Sequence, residues 1–237
     1  MVGSVGASQP ASQSSDLGRV YPPPGVPASK IPAEETVRAG GTASAEEAAR
    51  RGAGLLLAAG GGRRYGMPKA LVERAGRLLV EHAAQVLRAG GCDPVVVVLG
   101  AAADEVRRRA DLAGTIVVDN PDWADGMGSS LRAGLAALAS TGAPAATVLL
   151  VDTPGITAAA VRRVSGAADP QDLRAASYRG RQGHPVLLGR AHWAGVAELA
   201  AGDVGARPYL AAHDVTLIPC DDVANGADMD HPPGAGA

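Results

Sequence analysis

The chain has 237 residues, a hydrophobic fraction of 46% and a formal net charge of −2, the profile of one globular domain with room for a tail. So little net charge gives no basis for a nucleic-acid or membrane-surface partner, and no apolar run approaches the length of a membrane span. Two cysteines, Cys92 and Cys220, match no zinc or redox spacing and imply neither a metal site nor a disulfide framework.

Residues 1–50 open the chain with a segment unlike the rest. They carry YPPPGVPASKIPAEE, many Ser, Gly and Ala, and few large apolar residues. Such a stretch buries too little surface to offset its ordering entropy, so a disordered or weakly ordered extension is expected. Within it, SAEEAARRG suits a short helix capped by Ser44, with Glu46 and Glu47 in the first turn. No basic stretch followed by an apolar one marks a secretory signal, and the expected compartment is the cytoplasm. The folded domain is expected over 51–232, with a tail at 233–237.

From residue 53 strands and helices alternate. Apolar runs at 54–58, 94–99 and 147–151 have strand length, and PVVVV is rich in β-branched residues. LLVEHAAQVLRAG puts Leu79, Ala83, Val86 and Leu87 on one helical face and stops at Gly90-Gly91. AADEVRRRADL reads as a shorter helix. SSLRAGLAALAS aligns Leu131, Leu135 and Leu138, with Ser129 or Ser130 at its start. GITAAAVRRVSG repeats the helical pattern. DLRAASYRGRQGHPVLLG reads as two antiparallel strands around a Gly-containing turn. HWAGVAELA and RPYLAAH are helical, and VTLIP is a last strand. Continuous apolar strands alternating with helices imply an α/β fold with a mostly parallel sheet covered on both faces.

The stretch GLLLAAGGGRRYGMPKALV, 54–72, follows the first strand. In an open α/β sheet ligands bind at strand carboxyl ends, and glycines there let backbone N–H groups approach phosphate oxygens. Two familiar phosphate loops do not fit. Gly61 to Gly66 has P-loop spacing, but Met67 and Pro68 stand where Lys and Ser/Thr belong. Gly60 and Gly62 start a dinucleotide fingerprint, but Tyr65 takes its third glycine position. The 22 basic residues include only two lysines, Lys30 and Lys69. A compact point charge at position 69, in a chain that otherwise uses the planar guanidinium, suits a phosphate.

What does fit is Leu57-Ala58-Ala59-Gly60 leading to Arg64, Gly66, Pro68 and Lys69. This resembles the L-A-A-G-x-[GS]-x-R-x-G-x-P-K signature of sugar-nucleotide and cofactor nucleotidyltransferases, the MobA-like NTP transferase superfamily. Within that superfamily the chain looks like the branch that contains the molybdenum cofactor cytidylyltransferases and also includes nicotine blue oxidoreductases. The match continues through NPDWADGMGSSLRAGL, LLVDTP, GRQGHPVLL and GADMDHP, in family order, over roughly residues 53 to 232. The resemblance implies a Rossmann-like three-layer α/β/α nucleotidyltransferase domain and Mg²⁺-dependent transfer of CMP from CTP to the phosphate of a molybdopterin-type acceptor, with release of pyrophosphate. A molybdenum hydroxylase is the implied protein partner.

Residue by residue, the resemblance implies nucleotide binding by Leu57, Ala58, Ala59, Gly60, Gly61, Gly62, Gly126, Ser129 and Ser130. Arg64 and Lys69 would meet the phosphates. Asp152 would act in catalysis and hold Mg²⁺ together with Asp230, and His184 would lie on the acceptor side. The residues themselves leave alternatives. Asp152 stands at a strand end, where it suits Mg²⁺, or caps the helix that follows. The serines touch a base or ribose, or only cap their helix. Trp123 walls the pocket or fills core. In D-x-D, Asp228 and Asp230 share one side of an extended segment; after them His231, Pro233 and Gly234 replace the family's Thr, Glu and Asp. Guanylyl-transferring relatives read L-A-G-G where this chain has Ala59, so a methyl narrowing the base pocket favours a pyrimidine. Two other functions fit the same residues: an NAD(P)H-dependent oxidoreductase of the nicotine blue type, and a non-catalytic cofactor-delivery protein.

Overall fold

The computed structural model describes Met1 and residues 51–230. The expectations for the N-terminal extension, the tail and His231 fall outside those residues. The described chain contains nine strands: β1 (Ala53–Leu57), β2 (Glu73–Arg74), β3 (Arg77–Leu78), β4 (Val95–Leu99), β5 (Ile116–Asp119), β6 (Ala145–Leu150), β7 (Leu173–Tyr178), β8 (Arg181–Gly189) and β9 (Thr216–Pro219). Seven form one sheet in the order β5-β4-β1-β6-β8-β7-β9. The pairs β5–β4, β4–β1, β1–β6 and β7–β9 are parallel, and β8 runs antiparallel to both its neighbours. The sheet is thus mostly parallel with one reversed strand, as the sequence implied. β2 and β3 form a separate hairpin.

The central strands are buried on both faces. All five residues of β1 and of β4 are buried, which is why both read as unbroken apolar runs rather than alternating ones. The helices are α1 (Leu79–Ala89), α2 (Ala103–Arg109), α3 (Met127–Ala139), α4 (Ala158–Ser165), α5 (Trp193–Leu199) and α6 (Arg207–Ala211). Leu56, Val97 and Leu149 pack with α1 and α4 on one side. Leu55, Val96, Val98 and Val148 pack with α3, α5 and α6 on the other. That alternation along each strand creates the three-layer α/β/α sandwich.

Two elements escape the sequence patterns. β5 is a four-residue edge strand that is only partly buried, and its apolar run, Ile116 to Val118, is shorter than those of the central strands. The β2–β3 hairpin is too short to show a period. One start point is also corrected: α3 begins at Met127 with Gly126 as its N-cap, so Ser129 and Ser130 lie inside its first turn.

Candidate active site

β1 ends at Leu57, and its line continues through an Ala58 N–H bond to Val98 and a Val151 N–H bond to the Leu57 carbonyl. Beyond Ala59 the chain leaves the sheet. Gly62 has φ +63, and a Cβ there would lie 1.8 Å from the Met67 carbonyl oxygen. Only glycine allows this crossing of the loop over itself. The Gly62 carbonyl accepts from Tyr65 and Gly66 and closes the turn. Among the described residues the N–H groups of Gly60, Gly61 and Gly62 donate to no carbonyl, which leaves three adjacent amides to face a ligand. Such a run of free amides is an anion-binding concavity.

Pro68 leads into a single 3₁₀ turn, Lys69–Leu71, which roots Lys69 beside the loop. Its ammonium donates to Asp152 Oδ2 at 2.9 Å and to Asp230 Oδ1 at 3.4 Å. The Lys69 side chain is 13% exposed and that of Asp152 24%. Burial pulls the Lys69 pKa down, but the bonds to Asp152 and Asp230 and their charges outweigh it and hold the pKa above its ordinary value. Asp152 sits just beyond the carboxyl end of β6. It does not cap α4, whose cap is Thr157 accepting from the Ala160 N–H. The Met229 N–H donates to the Asp152 carbonyl at 2.8 Å, which anchors the 228–230 segment at the site.

The opposite wall comes from the NPDWADGMGSS stretch. Asn120 is buried, and its side-chain amide donates to Ser129 Oγ at 2.8 Å and Ser130 Oγ at 3.0 Å. Its own oxygen accepts from the Asp122 N–H. This fixes the loop that carries Trp123. Gly61 lies against the Trp123 ring, and a Cβ at Gly100 would meet that ring's side chain at 2.5 Å. Trp123 therefore walls the pocket with part of its ring and packs the rest against the core. Gly126 and Gly128 have a packing role: a Cβ on either would run into the 200–203 backbone.

These elements enclose a cavity of about 320 Å³ between the glycine loop, Lys69, Trp123, Gly126 and Asp152, within the range of small-ligand sites. A second cavity of about 440 Å³ adjoins it, with Leu57, Met127 and Leu150 common to both. Its floor is aliphatic, including Leu131, Val148, Val186, Leu188 and Leu210, and its polar lining is Gln182, His184, Arg207 and Asp228. Desolvation, with Arg207 adding and Asp152 opposing, lowers the His184 pKa to about 4, so its imidazole is neutral near pH 7. The Asp228 carboxyl is raised by burial and by the like charges of Asp152 and Asp230, against the pull of Lys69 and Arg207.

Of the residues singled out in the sequence, Leu57, Ala59, Gly60, Gly61, Gly62, Lys69, Gly126, Ser130 and Asp152 line the first cavity. Asp230 reaches it through Lys69, and His184 lines the second. Three candidates are not brought to a cavity wall. Ala58 points to the other face of the sheet, one residue out of phase with Leu57 and Ala59. Ser129 is buried and spends its hydroxyl on the carbonyls of Asp122 and Gly126. Arg64 is exposed away from the lining, and its neighbour Arg63 takes that place. Asp125, Asp203 and Arg207 line the cavities without having been anticipated. For Arg207 the only local signal is a charge at the start of RPYLAAH.

An α/β sheet with amides, an ammonium and carboxylates gathered at its strand ends defines a nucleotide-handling domain. The MobA-like NTP transferase domain model matches residues 54–217, and the chain belongs to that family; its domain is a nucleotidyltransferase domain. The nicotine blue oxidoreductase of Paenarthrobacter nicotinovorans is 42% identical over 172 residues, covering 69% of this chain and 83% of that protein. The crystal structure of an Rv0371c homologue from Mycobacterium sp. strain JC1 matches with TM-score 0.67 and 32% identity, over 77% of this chain and 91% of that one. The manganese complex of Rv0371c from Mycobacterium tuberculosis H37Rv matches with TM-score 0.64 and 27% identity, over 76% and 94%.

Proposed function

We propose that this protein is a Mg²⁺-dependent cytidylyltransferase that moves CMP from CTP to the phosphate of a molybdopterin-type acceptor and releases pyrophosphate. The observation that carries the reading is the convergence of three open loop amides, the Lys69 ammonium and the Asp152 carboxylate on one cavity. The amides and Lys69 cradle the triphosphate. An oxygen of the acceptor phosphate forms a bond to the α-phosphorus, the bond from that phosphorus to the α–β bridging oxygen breaks, and the electron pair leaves with pyrophosphate. A phosphate monoester is largely dianionic at pH 7, so no base has to remove a proton. Charge grows on the leaving oxygens, and cations placed beside them lower the barrier more than they stabilise bound CTP.

The acidic residues suit a divalent ion. Asp152 and Asp230 already converge on one positive charge, that of Lys69. Among the described residues no cluster of three or more His, Cys, Asp or Glu is placed to hold a metal. A two-carboxylate site completed by substrate phosphates is what Mg²⁺ uses, in contrast to an all-protein cage. Asp152 and Asp230 would hold the ion, which when bound neutralises triphosphate charge. The Ala59 methyl lines the cavity and packs toward Gly100, which supports a pyrimidine base. No helix among the described residues is long and apolar enough to cross a membrane, and we place the protein in the cytoplasm with its small-molecule substrates.

A second reading has its own support. The 42% identical relative bears the name nicotine blue oxidoreductase, so an NAD(P)H-dependent reduction of a quinonoid compound is the competing activity. One experiment separates the two. The protein is incubated with α-labelled CTP, GTP or ATP, Mg²⁺ and molybdopterin while pyrophosphate is followed, and NADPH oxidation with a quinonoid dye is followed in parallel. Pyrophosphate release with CTP that disappears in Asp152→Ala upholds cytidylyl transfer. NADPH consumption without pyrophosphate rejects it.

A further inference from the structure

The Ala59 methyl can limit the first cavity to a pyrimidine, but cytosine and uracil share one outline and a methyl cannot tell them apart. Hydrogen-bond polarity can, and one network in the cavity wall has its polarity fixed. Asn120 is buried and stands behind the cavity lining. Its side-chain oxygen accepts from the Asp122 backbone N–H. That group only donates, so the amide nitrogen is the atom facing Ser129 and Ser130. It gives one hydrogen to each serine oxygen, at 2.8 and 3.0 Å. Ser129 sends its own hydrogen on to the carbonyls of Asp122 and Gly126. Ser130 has no such outlet. Among the described residues its Oγ accepts from Asn120 and makes no other hydrogen bond. The residue is buried, yet it lines the cavity. Its one unspent group is an O–H, and the cavity is the space open to it.

The place of Ser130 matters as much as its polarity. A Cβ on Gly134 would collide with the Leu55 side chain. One helical turn earlier, Ser130 lies where β1 ends, beside Leu57 and Ala59. The other polar side chains of the lining are Arg63, Lys69, Asp125, Asp152 and Asp203. Lys69 and Asp152 pair at the glycine-loop side. The Asp203 carboxylate lies against Gly126, the N-cap of the helix that carries Ser130, and Asp125 precedes that cap. We propose that Asn120 is a positioning residue that selects cytosine over uracil: it occupies the Ser130 oxygen and so fixes Ser130 as a hydrogen-bond donor to ring atom N3. The proposal rests on the nucleotide reading of the first cavity and adds how the base is chosen. N3 is the ring atom whose polarity differs, a lone pair in cytosine and an N–H in uracil. The 2-oxo group accepts in both. With uracil two hydrogens would face each other, and the Ser130 O–H would stay buried without an acceptor. At C4, next to N3, cytosine carries an amino group and uracil an oxygen. The Asp125 and Asp203 carboxylates accept, which suits the amino group.

Calorimetric titration of the full-length protein with Mg²⁺-CTP and Mg²⁺-UTP tests this. The unaltered protein is expected to bind CTP at least about tenfold more tightly than UTP. Asn120→Asp keeps the side chain's size and the bond from the Asp122 N–H, but a carboxylate accepts where the amide donated. It draws the Ser130 hydrogen out of the cavity and leaves a lone pair facing N3. The CTP-to-UTP affinity ratio is then expected to fall by about tenfold or more. A residue that only braces the loop would weaken both nucleotides together, so an unchanged ratio overturns the proposal. Ser130→Ala is expected to lower the ratio as well. Adding Asn120→Asp to it should change the ratio no further, since both act through one hydroxyl; a further change counts against the proposal. Should the melting temperature show Asn120→Asp too unstable to titrate, Asn120→Ala decides. Ser130 is then free to turn and the two affinities converge; a ratio held at its original value overturns the proposal. Equal binding of CTP and UTP by the unaltered protein overturns this proposal alone. Binding of neither overturns the nucleotide reading of the first cavity together with it.

Discussion

The two adjoining cavities are built by opposite means. The first is made largely of backbone and charge: glycine amides, Arg63, the Lys69 ammonium and the carboxylates of Asp125, Asp152 and Asp203, on a loop whose turn at Gly62 has no room for a side chain. The second is made of side chains on regular strands and helices, mostly aliphatic, with its polar groups at one end. A site for a triphosphate needs donors that cannot rotate away, and main-chain N–H groups in a locked turn provide them. A site for a varied partner substrate needs shape and hydrophobic surface, which side-chain changes can tune without disturbing the sheet. The difference teaches that substitutions at the glycines of the first cavity should cost fold and ligand binding together, whereas those at its charged side chains should cost chemistry with little loss of stability.

The strongest way to break that contrast is Asp152→Ala. It is expected to lower the rate of pyrophosphate release by about 10²–10³-fold with little change in melting temperature, as read by a coupled phosphate assay and thermal unfolding. Lys69→Met comes next, with a fall of about 10²-fold. Because Lys69 bonds both carboxylates, the same variant should bind Mn²⁺ more tightly in the absence of nucleotide, measurable by electron paramagnetic resonance. Gly62→Ala should destabilise the loop by about 1–3 kcal/mol from backbone strain alone and more from the clash with Met67, seen as a lowered urea midpoint together with lost CTP binding.

In the second cavity the expected effects are smaller. His184 has a pKa depressed from 6.5 to about 4, so between those values the unfolded chain binds a proton that the folded chain does not. Stability is then fully present above about pH 6.5 and falls as pH drops toward about 4. Urea midpoints across that window should show the slope, and His184→Gln should flatten it. The smallest effect sharpens the comparison from outside both cavities. Thr157→Ala removes the α4 cap and should cost about 1 kcal/mol with turnover unchanged, which separates loss of stability from loss of function.

Much of this was legible before any coordinates. Unbroken apolar runs announced β1, β4 and β6 because strands buried on both faces leave no polar trace of their phase. The loop from Ala59 to Lys69 was legible because glycine, proline and a rare lysine each have a local physical reason. Three features were not. Which of Arg63 and Arg64 faces the cavity depends on a loop that crosses itself. Whether Ser129 meets a ligand depends on Asn120 nine residues away. The arginine at 207 gave no sign of its role, since it sits on a five-residue helix with no motif around it.

Sequence by itself determined most of the strands and helices, the mostly parallel sheet and the position of the glycine loop, because periodicity, turn chemistry and the forced use of glycine act over a few neighbouring residues. Tertiary structure alone decided that Lys69, Asp152 and Asp230 meet at one point, and that a second, apolar cavity opens beside them. Those contacts join residues 83 and 161 positions apart, and only the packing of distant strand ends brings such charges within bonding distance.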